Sequence, residues 1–339
     1  MKEALLYSLE PESRVRCSLC AHYCSIAPGK CGICGVRQNA GGRLQTLVFG
    51  EAAALAVDPV EKKPLFHFLP GTGTLSVATV GCNFKCAFCQ NHSLSQASPG
   101  DGISRSMAPE ELVRQAVEKG AASLSYTYSE PTIFLEYAYE TGKLAREKGL
   151  KNIFVTNGYM SRESYPFLLE FLDAANIDLK SFSDDVYKKV IGGSLSPVLD
   201  NIRGLHQAGV FLEITTLLVP GLNDSEKEVR AIAEFIASVD PMMPWHVSRF
   251  HPDYKMLDRD PTAVSAIVGA METGRKAGLK FIYAGNIPGD GNENTVCPQC
   301  GTLLIKRLGY ARPQLFLQKG LCPKCRFVLP GLFDTHADL

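Results

Sequence analysis

Short apolar runs recur along the middle of the chain, separated by stretches whose apolar positions return every three or four residues. The runs at 75–80, 123–128, 152–156, 175–179, 211–219, 246–250 and 280–284 read as strands. The stretches 109–119, 132–148, 161–172, 184–190 with 197–208, 225–238 and 261–277 carry the helical period. Pro109 followed by Glu110 and Glu111 is a helix start, with proline in the first turn and acids at the positive end of the dipole. Gly149, Gly209 and Gly278 stand where helices should end. Strands alternating with helices of this length imply βαβ units and a parallel sheet. The expectation is an α/β fold over 75–290, an open or partial (β/α) barrel with its chemistry at the C-terminal strand ends.

The flanks are organised differently. Residues 1–40 form a Cys-rich module, Cys17-x2-Cys20-Ala21-His22-Tyr23-Cys24 followed by Cys31-Gly32-Ile33-Cys34. Two C-x2-C pairs with glycine-rich tips look like metal knuckles, and Cys17, Cys20, Cys31 and Cys34 suffice for a tetrahedral zinc. Cys24 and His22 are then surplus, so zinc and a second iron–sulfur cluster both stay open, with a structural metal the first choice. Residues 41–74 read as a connecting segment, and its proline-broken part, 58–71, is expected to line the site, with His67 the residue to watch. Residues 291–339 hold a second metal module, Cys297-x2-Cys300 and Cys322-x2-Cys325, with β-rich sequence between (303–307 and 314–318). This pattern is that of a zinc ribbon or a rubredoxin-like iron site.

The chemistry is concentrated in the loop after the first strand. Cys82, Cys86 and Cys89 stand at C-x3-C-x2-C spacing. Three thiolates hold three irons of a [4Fe–4S] cluster and leave the fourth open, the mark of a catalytic rather than a structural metal site. The spacing, with Phe88 before the third cysteine, resembles the radical S-adenosylmethionine (SAM) superfamily, and so implies a partial barrel of that type binding SAM at the open iron. The alternative for this loop is a zinc knuckle or buried thiols, but no fourth ligand follows nearby.

Polar residues close the other strands. Glu130 sits where the superfamily usually has a G-G-E motif, and the resemblance implies that it accepts from the SAM ammonium. Tyr128 and Ser129 replace the glycines, so a different local backbone is expected. Asn157, Asp178 and Lys180 follow at the next two strand ends. Lys180 is read as a partner of the SAM carboxylate, against the alternative of a plain ion pair with Asp178. Val219-Pro220-Gly221 suits backbone approach to adenine, and Arg249 and His251 are candidates for SAM or substrate. A last polar loop runs from Ala284 to Gly289.

From Leu75 to Gly289 the order of motifs resembles the pyruvate formate-lyase-activating branch of that superfamily. More narrowly, the chain is similar to the radical SAM enzyme of the AmmeMemoRadiSam system. That similarity is carried by C-x-L-C at Cys17–Cys20, by Glu61-Lys62-Lys63-Pro64-Leu65, by Tyr126-Thr127-Tyr128-Ser129-Glu130-Pro131, and by the tail knuckles. The resemblance implies Memo-type and AMMECR1-type partner proteins and an electron donor such as flavodoxin or ferredoxin, but names no substrate. Two other functions are weighed against it, a glycyl-radical-enzyme activase and a non-catalytic metal scaffold. Many such activases place a Cys-rich insert after the cluster loop, whereas no cysteine lies between Cys89 and Cys297.

Composition narrows the rest. Formal net charge is zero with 21% charged residues, which points to no nucleic-acid or anionic membrane surface. The first residues carry charge and no long apolar core, so no export signal or membrane segment is expected. Twelve cysteines at metal-like spacings indicate a reducing cytoplasm rather than disulfides.

Overall fold

The computed structural model describes residues 1–287 and 291–333. Its centre is an eight-stranded sheet: β1 (Ala54–Pro59), β2 (Gly73–Ala78), β3 (Ser123–Tyr126), β4 (Lys151–Thr156), β5 (Ala174–Asp178), β6 (Phe211–Leu218), β7 (Trp245–Arg249) and β8 (Ile282–Gly285). Each strand pairs with the next in sequence; β2 to β8 are parallel and β1 runs antiparallel to β2. The two outer strands, β1 and β8, do not pair with each other, so the barrel is open.

Helices α1 (Pro109–Glu118), α2 (Leu135–Glu147), α3 (Leu195–Gln207), α4 (Glu226–Val239) and α5 (Val264–Lys276) return the chain between strands. Their buried faces, such as Leu112, Val113 and Ala116 of α1, join one core with the outer face of the sheet. The predicted helix over 161–172 is instead a 3-10 turn, Arg162–Ser164, and a single helical turn, Tyr165–Leu168. Pro166 lies inside it and supplies no N–H for a longer ladder. Among the described residues, no helix is long and apolar enough to cross a membrane.

The segment expected to be a connection contributes more. Ala54–Pro59 pairs along its whole length with β2, in register from Ala54 with Ala78 to Pro59 with Gly73. Its side chains alternate poorly in polarity, which hid the strand, and Pro59 is tolerated because β1 is an edge. Pro64 to His67 then passes under the barrel interior. Asn176 of β5 donates to Pro64 O at 2.8 Å, and Glu213 of β6 accepts from the Phe66 and His67 amides at 2.8 and 2.7 Å. His67 therefore packs in the floor and not at the site. Its ring lies against Phe281, and Nε2 is 2.6 Å from Tyr283 Oη.

Two small modules dock on this frame. The head is built of two three-stranded sheets, and it meets the loop after β4 through a bridge of Cys20 with Met160 and Ala21 N donating to Tyr159 O at 3.1 Å. The tail is an antiparallel ribbon, Thr295–Val296, Leu303–Lys306 and Gln314–Leu315, close to the expected strands. Its Leu304, Ile305 and Leu329 form a core with Phe66, Phe281 and Tyr283, and Arg307 stacks 4.2 Å over the Phe66 ring.

Candidate active site

The loop from Gly81 to Gln90 leaves β2 without regular hydrogen bonding and is held by its neighbours. Lys85 N donates to Ile191 O at 2.8 Å and Ala87 N to Val190 O at 3.3 Å, so the loop rests on the turn Tyr187–Ile191. Phe84, fully buried, wedges between Tyr159 and Tyr187. Cys82, Cys86 and Cys89 all face one cavity of about 390 Å³, with Phe88 beside them. Phe84 N donates to Cys82 Sγ at 3.3 Å, and Cys89 Sγ lies 3.2 Å from Ser95 Oγ. Burial raises the pKa of both Cys82 and Cys86, the latter to about 12. Thiols in that setting stay protonated unless a cation such as iron is bound to them.

The C-terminal strand ends form the rest of the wall. Glu130, Asn157, Asp178 and Lys180 all line the cavity. Glu130 is already held by its own loops. Its Oε1 accepts from Thr132 N, Thr132 Oγ1 and Thr156 Oγ1 at 3.0, 2.6 and 2.6 Å, and Oε2 accepts from Asn157 N at 2.8 Å. Burial raises its pKa, against these donors. It ties the ends of β3 and β4 together and has spare acceptor capacity only at Oε2.

Tyr128 has φ +66°, the left-handed conformation that glycine takes without strain. The ring that replaces hydrogen is anchored, since Tyr128 Oη donates to Asp58. Asp58 also accepts from Lys62 and Lys63 at 2.8 and 2.7 Å, so β1 braces the cavity wall. Burial lowers the pKa of Lys63 to about 8, even with Asp58 opposing it.

Lys180 is paired with Asp178 at 2.8 Å, the plainer of its two readings, while both still face the cavity. Burial would lower the pKa of this ammonium, but Asp178 outweighs it and holds the group charged.

Two predicted residues fall elsewhere. Arg249 is not brought to the cavity: on β7 its neighbour Ser248 points inward, so alternation turns Arg249 away, and its Nε donates to Thr262 O at 2.7 Å. His251 is exposed at the rim, 3.0 Å from Gln90 Nε2, and does not line the cavity either. Pro288 and Gly289 of the last rim loop lie outside the described residues.

The residues missed from sequence are informative about fit. Ser129 and Thr215 line the cavity, and their hydroxyls are buried and have no hydrogen-bond partner. Orphaned buried hydroxyls cost stability unless a ligand completes them. Three thiols on one wall, two orphan hydroxyls and a paired cation opposite suit an iron–sulfur cluster with SAM chelated to it by its amino and carboxylate groups. Thr215 was detectable in principle, because Glu213 and Thr215 put polar groups on one face of an otherwise apolar strand.

The tail cysteines behave as expected of a closed mononuclear site. All four sulfurs lie within 4.8 Å of one another, with Cys297 and Cys325 3.5 Å apart and Cys300 and Cys322 3.6 Å apart. Such convergence suits a single tetrahedral ion, zinc or iron. In the head, Cys17, Cys20, Cys24 and Cys34 line one small cavity, whereas Cys31 is exposed and outside it. The set Cys17, Cys20, Cys31 and Cys34 is therefore not the one brought together, because Cys31 lies on the outward side of its bridge with Gln38.

Comparison with known proteins agrees with this geometry. Residues 76–236 match the model of the radical SAM superfamily. An uncharacterized protein of Methanocaldococcus jannaschii is 42% identical over 308 residues, covering 91% of this chain and 92% of its own. The pyruvate formate-lyase-activating enzyme of Clostridium pasteurianum is 24% identical over 206 residues, 56% of this chain and 84% of that one. A radical SAM methyltransferase from Sphaerobacter thermophilus has a similar fold, with a TM-score of 0.50 at 16% identity over 70% of this chain and 71% of its own.

Proposed function

We propose that this chain, whose residues 76–236 match the radical SAM superfamily of enzymes that use a [4Fe–4S] cluster and SAM, holds that cluster on Cys82, Cys86 and Cys89 and SAM at its strand ends. The observation that carries this reading is that the three thiols share one cavity with Ser129, Glu130, Asn157, Lys180 and Thr215. When bound and reduced, the cluster supplies the electron that cleaves SAM to methionine and a 5′-deoxyadenosyl radical, which takes hydrogen from a substrate. The chain's own tasks are to hold, orient and exclude. Ser129 and Thr215 complete their hydrogen bonds on the methionine end of SAM, and Lys180 offsets its carboxylate. Glu130 fixes the wall from Thr132 to Asn157 and offers Oε2 to the ammonium. Phe88 and the apolar inner strand residues keep water from the reacting carbon.

A glycyl-radical-activase role is the second reading. Similarity to activating enzymes for pyruvate formate-lyase and for isethionate sulfite-lyase favours it, at 24% and 26% identity. The motif resemblance instead supports a place in the AmmeMemoRadiSam system, with Memo-type and AMMECR1-type partners and a flavodoxin- or ferredoxin-type donor. The deciding assay is anaerobic: reconstituted protein, SAM and dithionite, with 5′-deoxyadenosine measured. Release of 5′-deoxyadenosine that disappears in Cys86→Ala supports the assignment. Equal release from that variant sinks it. Mixing with a glycyl-radical enzyme and with a Memo-type protein then separates the two roles by which one is modified.

A further inference from the structure

The cavity in the head is lined by four cysteines, yet its sulfurs do not converge as those of the tail do. Among the described residues, only the four tail cysteines form a group with sulfurs mutually within 4.8 Å. Cys17, Cys20, Cys24 and Cys34 instead surround a void together with His22 and Arg37. A single ion needs convergence on one point, whereas a cubane needs its four sulfurs spread around it.

The charge around the void points the same way. Arg37 is fully buried, with 1% exposure, and is ion-paired with Glu136, also 1% exposed. Its Nη1 lies 3.8 Å from Cys17 Sγ, and its Nε has no hydrogen-bond partner. An arginine side chain this deep, with a donor left over beside four thiols, suits an anionic group in the void. A four-thiolate cluster is such an anion, and gains negative charge on reduction. A neighbouring cation therefore helps it accept an electron.

The void is also tied to the catalytic loop by one side chain. Asn83, fully buried, follows Cys82, and its Oδ1 lies 3.9 Å from Cys82 Sγ. The same Oδ1 accepts from Asn157 Nδ2 at 2.7 Å, and Asn83 Nδ2 is buried without a hydrogen-bond partner. His22 Nε2 bonds Asn83 O at 2.8 Å, and Gly81 packs on Cys34 O.

We propose that Cys17, Cys20, Cys24 and Cys34 bind a second [4Fe–4S] cluster that passes electrons to the SAM-binding cluster through the Asn83 contact. The proposal rests on the radical SAM reading of Cys82, Cys86 and Cys89. A low-potential one-electron donor, such as a reduced flavodoxin or dithionite, reduces the head cluster from the 2+ to the 1+ state. The head cluster returns to 2+ as the same electron takes the catalytic cluster from 2+ to 1+. Cys31 is not a ligand.

The test is metal and sulfide content, with electron paramagnetic resonance, on the full chain reconstituted anaerobically. Wild type is expected to hold about eight irons, about eight acid-labile sulfides and one tail metal, and Cys31→Ser to match it. The variant lacking Cys82, Cys86 and Cys89 should keep about four irons and four sulfides, and Cys24→Ser should lose about four of each. An unchanged tail metal, zinc or iron, in every variant reports that the fold is kept. On reduction, wild type should show two signals broadened by mutual coupling, of which SAM shifts only one. About four sulfides in wild type with a second zinc would overturn the proposal and leave the radical SAM reading intact. Equal losses from Cys31→Ser and Cys24→Ser would also overturn it. Wild type without sulfide would instead defeat the reading on which the proposal rests.

Discussion

Ser129 is the side chain whose energetics speak most directly for a ligand. The residue lines the cavity, and its hydroxyl is buried and bonds to nothing in the protein. Removing a satisfied hydroxyl would destabilise the fold; removing this one should leave unfolding free energy within about 1 kcal/mol of wild type. SAM binding should weaken about fivefold in Ser129→Ala, since one hydrogen bond contributes about 1 kcal/mol. Equilibrium dialysis with reconstituted protein measures it, and unchanged affinity would remove Ser129 from the site. His67 makes the opposite kind of case, a histidine satisfied as a neutral ring. Nδ1–H donates to Pro330 O at 3.1 Å, and Nε2 accepts from Tyr283 Oη. Burial lowers its pKa to about 4 from the ordinary 6.5, even with Glu213 opposing. As pH falls from 6.5 to 4 the unfolded chain takes the proton first, so stability is lost in that window, by up to about 3 kcal/mol. Chemical unfolding across that range should show a flatter profile for His67→Gln. An identical slope in both proteins would mean the ring is not held neutral.

The decisive element is the loop after β2, and its placement depends on Gly81. At φ +92°, a Cβ there would lie 2.6 Å from Val36 Cγ1 and 2.9 Å from Cys34 O. Gly149, also left-handed at φ +76°, has nothing within 4 Å, so it isolates the backbone cost alone. Gly149→Ala should cost about 1 kcal/mol, and Gly81→Ala at least about 2 kcal/mol. Hydrogen exchange should show the difference concentrated in residues 17–36 and 81–90; equal effects of the two substitutions would show that the head is not pressed on the loop. This contact was invisible in the sequence, where Gly81 was one more glycine beside a cysteine. The cysteine loop itself was legible, because its ligands are close in sequence and their spacing alone carries the geometry. The edge strand Ala54–Pro59 was not. Its pairing partner, β2, supplies the pattern that its own residues lack.

At the scale of the molecule, both cysteine-rich modules pack against the central sheet and its loops. The ribbon is no independent appendage: Leu69 N donates to Leu332 O at 2.7 Å, and Arg307 Nη2 donates to Phe66 O at 2.6 Å. A metal held by its four cysteines would thus stabilise the floor on which Lys63 and Pro64 line the cavity. Replacing Cys297 and Cys322 by serine should remove about one zinc or iron per chain and lower the melting temperature by several degrees. Amide protection should fall along 64–69 as well as in the ribbon. Loss confined to 295–333 would show that the ribbon folds without bracing the barrel.

The sequence by itself determined what is local: the strand–helix alternation, the three cysteine groups, and the polar strand ends that became the rim. Those signals survive because period, spacing and chirality act within a few residues of chain. Only the tertiary structure decided which head cysteines meet, that Arg249 turns away while Ser129 and Thr215 turn in, and that His67 is a floor residue. Each of those outcomes depends on which elements pack together, through strand register, side-chain alternation and burial against segments distant in sequence. Cys31 and Cys34 are three residues apart, yet burial against Gly81 and Val36 leaves one facing the void and the other facing water.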